Sequence, residues 1–180
     1  MVMAWPSGPA NHKENTMLKG LHHNAYRCRD SEETRKFYED FMGLPLANAF
    51  EISETKSGRP TKTLHSFYAM DDGSCLAFFE DPDRPFEFKA QHDFDLHIAL
   101  EVEPADLHLM LAKGKAAGIE TRGISDHGFI DSIYFRDPNG YVIELTAKRP
   151  EHGAAMATAA KTAHQALGNW QKSKPAAVTA

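Results

Sequence analysis

The sequence has little of what marks a disulfide-stapled secreted protein, a zinc domain or a membrane protein. Its 180 residues include two cysteines, Cys28 and Cys75, which form neither a zinc-binding motif nor a disulfide framework and are predicted to be reduced core residues. No long apolar run approaches the length of a membrane span. The N-terminus also lacks the apolar segment of a signal peptide, which predicts a cytoplasmic protein with no membrane partner.

The charge balance excludes a second group of partners. A formal net charge of -5 makes the surface mildly acidic, and such a surface does not attract nucleic acid or an anionic membrane. Hydrophobic residues at 42% and charged residues at 25% are ordinary for a globular protein, and the length suits one domain or two small fused units. We therefore expect a globular protein with no nucleic-acid partner.

Two parts of the chain share the same predicted order of elements. The first part is predicted to contain a strand over residues 21–28, a helix from Asp30 or Ser31 to Gly43, an extended segment from Leu44, and strands over residues 63–70 and 74–79. The second part is predicted to contain a strand over residues 96–102, a helix from Pro104 to Gly118, a short strand over residues 119–122, and a hairpin over residues 132–146. Each part is therefore a βαβββ module, and two such modules can pair about a pseudo-twofold axis.

The segments outside this repeat set the predicted domain boundaries. Residues 1–19 are polar and irregular and are predicted to be a flexible N-terminal arm. Residues 20–147 form the domain, with the first module at about residues 20–81 and the second at about residues 94–147. Residues 148–180 form a C-terminal helical tail, in which Leu167 and Trp170 are expected to pack. The predicted fold class is α+β.

A candidate metal site emerges from the repeat. His23 and His97 occupy equivalent places, each early in an apolar strand, and a twofold arrangement would point both rings into one cleft. Glu144 lies inside the apolar run Val-Ile-Glu-Leu, where an unpaired buried carboxylate is costly, unless it takes a surface position on an edge strand. Two imidazoles and one carboxylate can hold Fe(II), and also Mn(II), Ni(II) or Zn(II). His22 is the competing first ligand, and His23 is preferred because it matches His97.

Several motifs resemble one known superfamily. They are the run from His23 to Asp30, the pair Phe37-Tyr38, the run Met42-Gly43-Leu44, and Tyr134-Phe-Arg-Asp-Pro-Asn-Gly140 through Glu144. Over about residues 20–147 the chain resembles the vicinal oxygen chelate superfamily, also called the glyoxalase, bleomycin-resistance and extradiol-dioxygenase superfamily. The resemblance implies paired βαβββ modules that form an open, cup-shaped mixed β-sheet around a divalent metal, with His23, His97 and Glu144 as ligands. Members are often homodimers, and the cup forms either within one chain or between two.

The resemblance also favours one reaction. Glyoxalase I-like members have a fourth ligand late in the first module, where this chain has Ala77 and Phe78, so a three-ligand site is expected. The extradiol signature of a His, a hairpin Tyr and the ligand Glu is matched by His127, Tyr134 and Glu144 and departs at Ser125. It implies an Fe(II)-dependent dioxygenase that cleaves a small catecholic substrate with O2. His127 would act as the acid or base, and Tyr134 would hydrogen-bond the substrate.

Two other functions stay open at this stage. One is a metal-dependent lyase, isomerase or epimerase, which needs a carboxylate base that the first module does not obviously offer. The other is a non-catalytic, small-molecule-binding resistance protein, although such proteins often lack the ligand triad. His127 could instead be a surface histidine and Tyr134 an ordinary strand aromatic, and His65 and His92 are further candidates for the cleft, for which surface positions are favoured.

Overall fold

A computed structural model describes residues 17–84, 86–89, 92 and 94–174 of the chain. Most of the predicted N-terminal arm and the last six residues of the tail therefore lie outside the described residues. Within the described parts, no helix is both long and apolar enough to cross a membrane.

The two predicted βαβββ modules are present. The first module consists of β1 His23–Arg27, α1 Ser31–Arg35 continued by a π-helical turn Lys36–Phe41, β2 Leu46–Glu54, β3 Pro60–Ala69 and β4 Cys75–Glu80. The second consists of β5 His97–Glu101, α2 Pro104–Ala116, β6 Thr121–Asp126, β7 Ile130–Arg136 and β8 Val142–Lys148, and α3 His152–Ser173 follows it. The order of elements predicted from the sequence is confirmed.

Each module forms a four-stranded mixed sheet with the same topology. The strand orders are β1-β4-β3-β2 and β5-β8-β7-β6. The first strand of each module pairs in parallel with the last, and the other pairs are antiparallel. The predicted α+β class is confirmed, and the strands that carry His23 and His97, β1 and β5, lie at the edge of their sheets.

Local chemistry explains where the first helical segment begins and ends. The Asp30 side chain accepts a hydrogen bond from the Glu33 N–H at 2.8 Å, which satisfies an otherwise unpaired donor at the helix N-terminus. Gly43 adopts a φ of +85° just after the segment, a conformation that other residues rarely take. The π-helical turn was not predicted. Phe37, Tyr38 and Phe41 lie on this turn, and all three are buried in the core.

A buried polar cluster joins the two modules. The Tyr38 hydroxyl of the first module donates to Asp137 Oδ2 of the second at 2.9 Å. Asn139 Oδ1 accepts from the Arg29 N–H at 2.8 Å, and the Tyr141 hydroxyl donates to the Arg27 carbonyl at 2.9 Å. Burial raises the pKa of Asp137, while the hydrogen bonds it accepts act in the opposite direction. The turn between β7 and β8 therefore anchors the second module to the end of β1 and to the first helical segment.

The C-terminal helix differs from the expectation. α3 spans His152–Ser173, and none of its residues is buried. Leu167 and Trp170, which were expected to pack, are 57% and 63% exposed. Their spacing along the helix suggested a packing face, but both side chains remain largely exposed in the single chain.

Candidate metal and catalytic site

The second module brings two of the predicted metal ligands into contact. Glu144 on β8 lies opposite Ala99 on β5, so His97, two residues before Ala99, faces the same side of the sheet. The His97 Nε2 is 3.3 Å from Glu144 Oε2. The Glu144 side chain is 8% exposed, whereas that of His97 is 40% exposed. The pair is therefore accessible from solvent through the imidazole.

Tyr134 and His127 extend this pair into a chain of polar contacts. Tyr134 lies directly opposite Glu144 in the β7–β8 ladder, and its hydroxyl donates to Glu144 Oε1 at 3.5 Å. The His127 Nε2 is 3.0 Å from the same hydroxyl oxygen. When the hydroxyl donates to Glu144, the N–H of His127 donates to the hydroxyl. His127 is thus linked through the phenol of Tyr134 to a candidate metal ligand.

Arg122 is a member of this site that sequence reasoning missed. It lies opposite Tyr134 in the β6–β7 ladder, and its guanidinium carbon is 5.2 Å from the centroid of the tyrosine ring. A cation over an aromatic face is attracted by the ring. The contact depends on the β6–β7 register, which the sequence did not reveal, because it placed the short strand at residues 119–122, whereas β6 spans Thr121–Asp126.

His23 lies in the first module, on β1. Its ring packs near His65 and Phe67, with centroid separations of 6.3 Å and 5.5 Å. The His22 Nδ1 is 2.7 Å from His23 Nδ1, so the two neighbouring imidazoles share a hydrogen bond. Neighbouring side chains in a strand point to opposite faces, but this does not apply to His22 and His23, because His22 precedes β1.

One chain does not bring all three predicted ligands together. Among the residues that the structure describes, no three His, Cys, Asp or Glu side chains lie close enough to hold one ion. His97 and Glu144 are in contact, and His23 lies on the other module's sheet. The assignment of the three ligands therefore stays a prediction.

His65 is buried, contrary to the surface position expected from the sequence. It is 6% exposed, and its Nδ1 donates to the Phe78 carbonyl at 3.0 Å. Its ring stacks on Phe79 with the centroids 3.7 Å apart. Burial is the main cause of a lowered pKa, and the neighbouring His23 acts in the same direction, so the neutral imidazole is favoured. The sequence did contain a sign of this burial, because alternation along β3 places His65 on the same face as Phe67.

His65 belongs to a larger aromatic surface on the first sheet. We call this surface the aromatic face, and it consists of His23, Phe50, His65, Phe67 and Phe79. Phe50 and Phe67 stack with centroids 6.0 Å apart. Phe50 is 43% exposed, so the aromatic face is open to a ligand or a partner. Flat rings of this kind suit an aromatic ligand.

The His97–Glu144 pair has the chemistry of half a metal site. Glu144 is a buried carboxylate whose two described polar contacts, to His97 and Tyr134, are long at 3.3 Å and 3.5 Å. A buried carboxylate usually has closer partners, because leaving it underpaired is unfavourable. A divalent cation bound by His97 and Glu144 would provide the missing partner, and one further imidazole would complete a facial set of three.

Comparisons with known proteins agree with this architecture. The model of the Glyoxalase/Bleomycin resistance protein/Dioxygenase superfamily matches residues 20–145. The metallothiol transferase FosB of Bacillus licheniformis is 28% identical over 134 residues, which cover 73% of this chain and 77% of FosB.

Two solved structures illustrate the shared fold. A glyoxylase/bleomycin resistance protein/dioxygenase domain from Frankia sp. EAN1pec has a TM-score of 0.58 at 19% identity, covering 73% of this chain and 99% of that one. A mutant of the fosfomycin resistance protein FosX from Listeria monocytogenes, complexed with Mn(II) and 1S,2S-dihydroxypropylphosphonic acid, has a TM-score of 0.52 at 23% identity, with 76% and 98% covered. At these identities the likeness concerns the fold. The family match spans more than half of the chain, and the protein therefore belongs to the glyoxalase/bleomycin resistance protein/dioxygenase superfamily.

Proposed function

We propose that the protein is a metal-dependent enzyme whose metal site forms between two copies of the chain. His23 of one copy and the His97–Glu144 pair of the other would hold a divalent ion. Two observations support this arrangement. The histidines lie on edge strands in which exposed and more buried residues alternate, with His23 and His97 on the exposed side. The open aromatic face around His23 is also a surface that a second copy would cover.

The reaction that we propose is extradiol cleavage of a small catecholic substrate with dioxygen. The observation that carries it is the chain from His127 through Tyr134 to Glu144, with contacts of 3.0 Å and 3.5 Å. It joins an acid–base group and a hydrogen-bond donor to a candidate ligand. When bound, an Fe(II) ion supplies chelation of two adjacent substrate oxygens and transfer of electron density to dioxygen, while Mn(II), Ni(II) or Zn(II) would suit other chemistry.

The chain's own groups have distinct tasks in this proposal. The Tyr134 hydroxyl donates a hydrogen bond to a substrate oxygen held next to Glu144. In the tautomer whose Nε2 carries no hydrogen, His127 takes a proton from a catechol hydroxyl and returns it later. Arg122 holds the Tyr134 ring in place through its contact with the ring face. The aromatic face supplies a flat apolar wall for the substrate ring.

Oxygen consumption tests this proposal directly. Protein purified without oxygen and loaded with Fe(II) is mixed with catechols, and oxygen uptake and the absorbance of ring-cleaved products are followed. We expect His127→Gln to lower kcat by about 10²- to 10⁴-fold, as loss of a general acid–base group does, with metal content unchanged. His164→Gln, which alters an exposed histidine on α3, should leave kcat unchanged. Metal-loaded protein that takes up no oxygen with any catechol would eliminate this reaction.

A second candidate function rests on the similarity to FosB. A 28% identity over 134 residues to a metallothiol transferase favours a metal-dependent transfer of a thiol to a small molecule. This reaction needs no oxygen. Incubating the metal-loaded protein anaerobically with fosfomycin and a thiol separates the two candidates, because an adduct forms only in the transferase.

A further inference from the structure

A cleft rich in arginine lies on the first module, at the opposite end of β1 from His23. Its volume is about 250 Å³, and its lining includes Arg27, Arg59 and Arg84 against a single carboxylate, Asp81. The whole chain carries a formal net charge of -5, so this local excess of positive charge runs against the overall balance. Such an excess in a concave site favours a negatively charged ligand.

Arg27 is held in place but not satisfied. Its Nη2 donates to the backbone carbonyls of Asp81 at 3.1 Å and Arg84 at 3.0 Å, and its guanidinium lies 5.1 Å from the centroid of the Phe86 ring. Its Nε is nevertheless buried without a hydrogen-bond partner among the described residues, as is the acceptor Asp81 Oδ1. A buried N–H donor without a partner is unfavourable, which points to a group that the protein alone does not supply.

Further donors surround the same space. The side chain of Arg59 makes no hydrogen bond or ion pair with the residues that the structure describes, and it lines the cleft. The Thr61 and Thr63 hydroxyls, 2.9 Å apart, also line it. Arg84 is only loosely paired, with its Nε 3.7 Å from Asp81 Oδ2. Two guanidinium groups and at least one hydroxyl are therefore available to an incoming anion.

We propose that this cleft binds an oxyanion, the carboxylate or phosphate group of a small molecule, through Arg27, Arg59 and Arg84. Guanidinium groups bind both kinds of oxyanion through paired N–H donors. Arg27 and His23 are four residues apart on β1 and share a face, which separates them by about 13 Å. On the proposed function, the substrate would be a catechol that carries an acidic group about that far from its chelating oxygens.

Titration of the metal-free protein with inorganic phosphate tests the cleft by itself. Amide chemical shifts are followed at constant ionic strength, with chloride as the balancing anion. We expect saturable shifts confined to the cleft lining. Arg59→Gln should weaken binding by about tenfold or more, because it removes a charged donor. Lys62→Gln removes the same charge three residues further along the chain, on β3 and outside the lining, and should not change the affinity.

A parallel titration with acetate separates the two sources of the oxyanion. Saturable binding of acetate at the same residues also supports the site and assigns it to carboxylates. The proposal is overturned if neither anion gives saturable shifts, or if Arg59→Gln and Lys62→Gln weaken binding equally. Arg27→Gln is not the primary test, because Arg27 also holds the backbone of residues 81–84. Because no metal is present, the result is independent of whether ring cleavage occurs.

Discussion

His97 and Glu144 lie on parallel neighbouring strands with the imidazole Nε2 3.3 Å from the carboxylate Oε2. The first module repeats the same pairing, but there the residue at the place of Glu144 is Ala77, which lies opposite Ala25 as Glu144 lies opposite Ala99. The first module can therefore contribute His23 and no carboxylate at the equivalent position. This asymmetry supports a site with three protein ligands.

Removing the carboxylate should remove the metal. We expect Glu144→Gln to lower affinity for Fe(II) or Mn(II) by at least about 100-fold, more than is typical for loss of a residue that only supports a ligand. Glu101→Gln on β5 is the matched control, because Glu101 is exposed and pairs only at the surface with Lys148. Metal content is measured by elemental analysis after dialysis. Stoichiometric metal in Glu144→Gln would show that Glu144 is not a ligand.

Mixing two defective variants should restore part of the metal site. In refolded mixtures of His23→Gln and Glu144→Gln, half of the dimers are heterodimers, and each has one site with all native ligands. We expect about a quarter of the wild-type metal content and activity, while either variant alone has neither. A site formed within one chain would gain nothing on mixing, because every chain then keeps one defect.

Gly114 allows α2 to lie close against β7. A Cβ added there would be 2.5 Å from Phe135 Cε1 and 2.6 Å from Thr121 Oγ1, in a part of the core where Phe135 is 1% exposed. Gly114→Ala should therefore lower the free energy of unfolding by about 1–3 kcal/mol, despite the better helix propensity of alanine. Gly168→Ala on α3 meets nothing within 4 Å and should change stability little or raise it by up to about 1 kcal/mol.

Urea unfolding of both glycine variants gives the comparison. A loss of stability at both positions would mean that backbone conformation, not crowding against Phe135, decides the effect.

Alkaline pH should destabilise the protein through its buried tyrosines. Burial raises the pKa of Tyr68 and of Tyr141 to about 12 each, whereas an unfolded tyrosine titrates near about 10. Their stabilisation is complete below about pH 10 and is lost as the pH rises toward about 12, since the unfolded chain releases these protons first. The free energy of unfolding should fall by about 1.4 kcal/mol per pH unit for each tyrosine.

Urea titrations at several pH values between about 9 and about 11 measure this slope. Tyr141→Phe should make it shallower, although it also removes the hydrogen bond to the Arg27 carbonyl. Cys28, whose pKa burial raises to about 11, contributes in the same direction and is unaffected by that substitution. An unfolding free energy that does not change above about pH 10 would contradict the assignment of these shifts.

Local sequence signals predicted most of the fold. The cap at Asp30, the left-handed Gly43 and the turn residues between β7 and β8 act through nearby backbone, so their positions could be inferred without tertiary information. The π-helical turn could not be inferred from local signals, and the burial of His65 was missed although the alternation of β3 places it on the same face as Phe67.

The sequence by itself determined the duplicated βαβββ order and the chemical types at His23, His97, His127, Tyr134 and Glu144, because periodicity, turn chemistry and repetition are properties of the chain. Only the tertiary structure decided which of these groups meet. Strand pairing within the second module joined four of them, while the pairing of β1 with β4 left His23 on the separate sheet of the first module. Contacts between sheets depend on how modules dock, and no spacing along the chain encodes that docking.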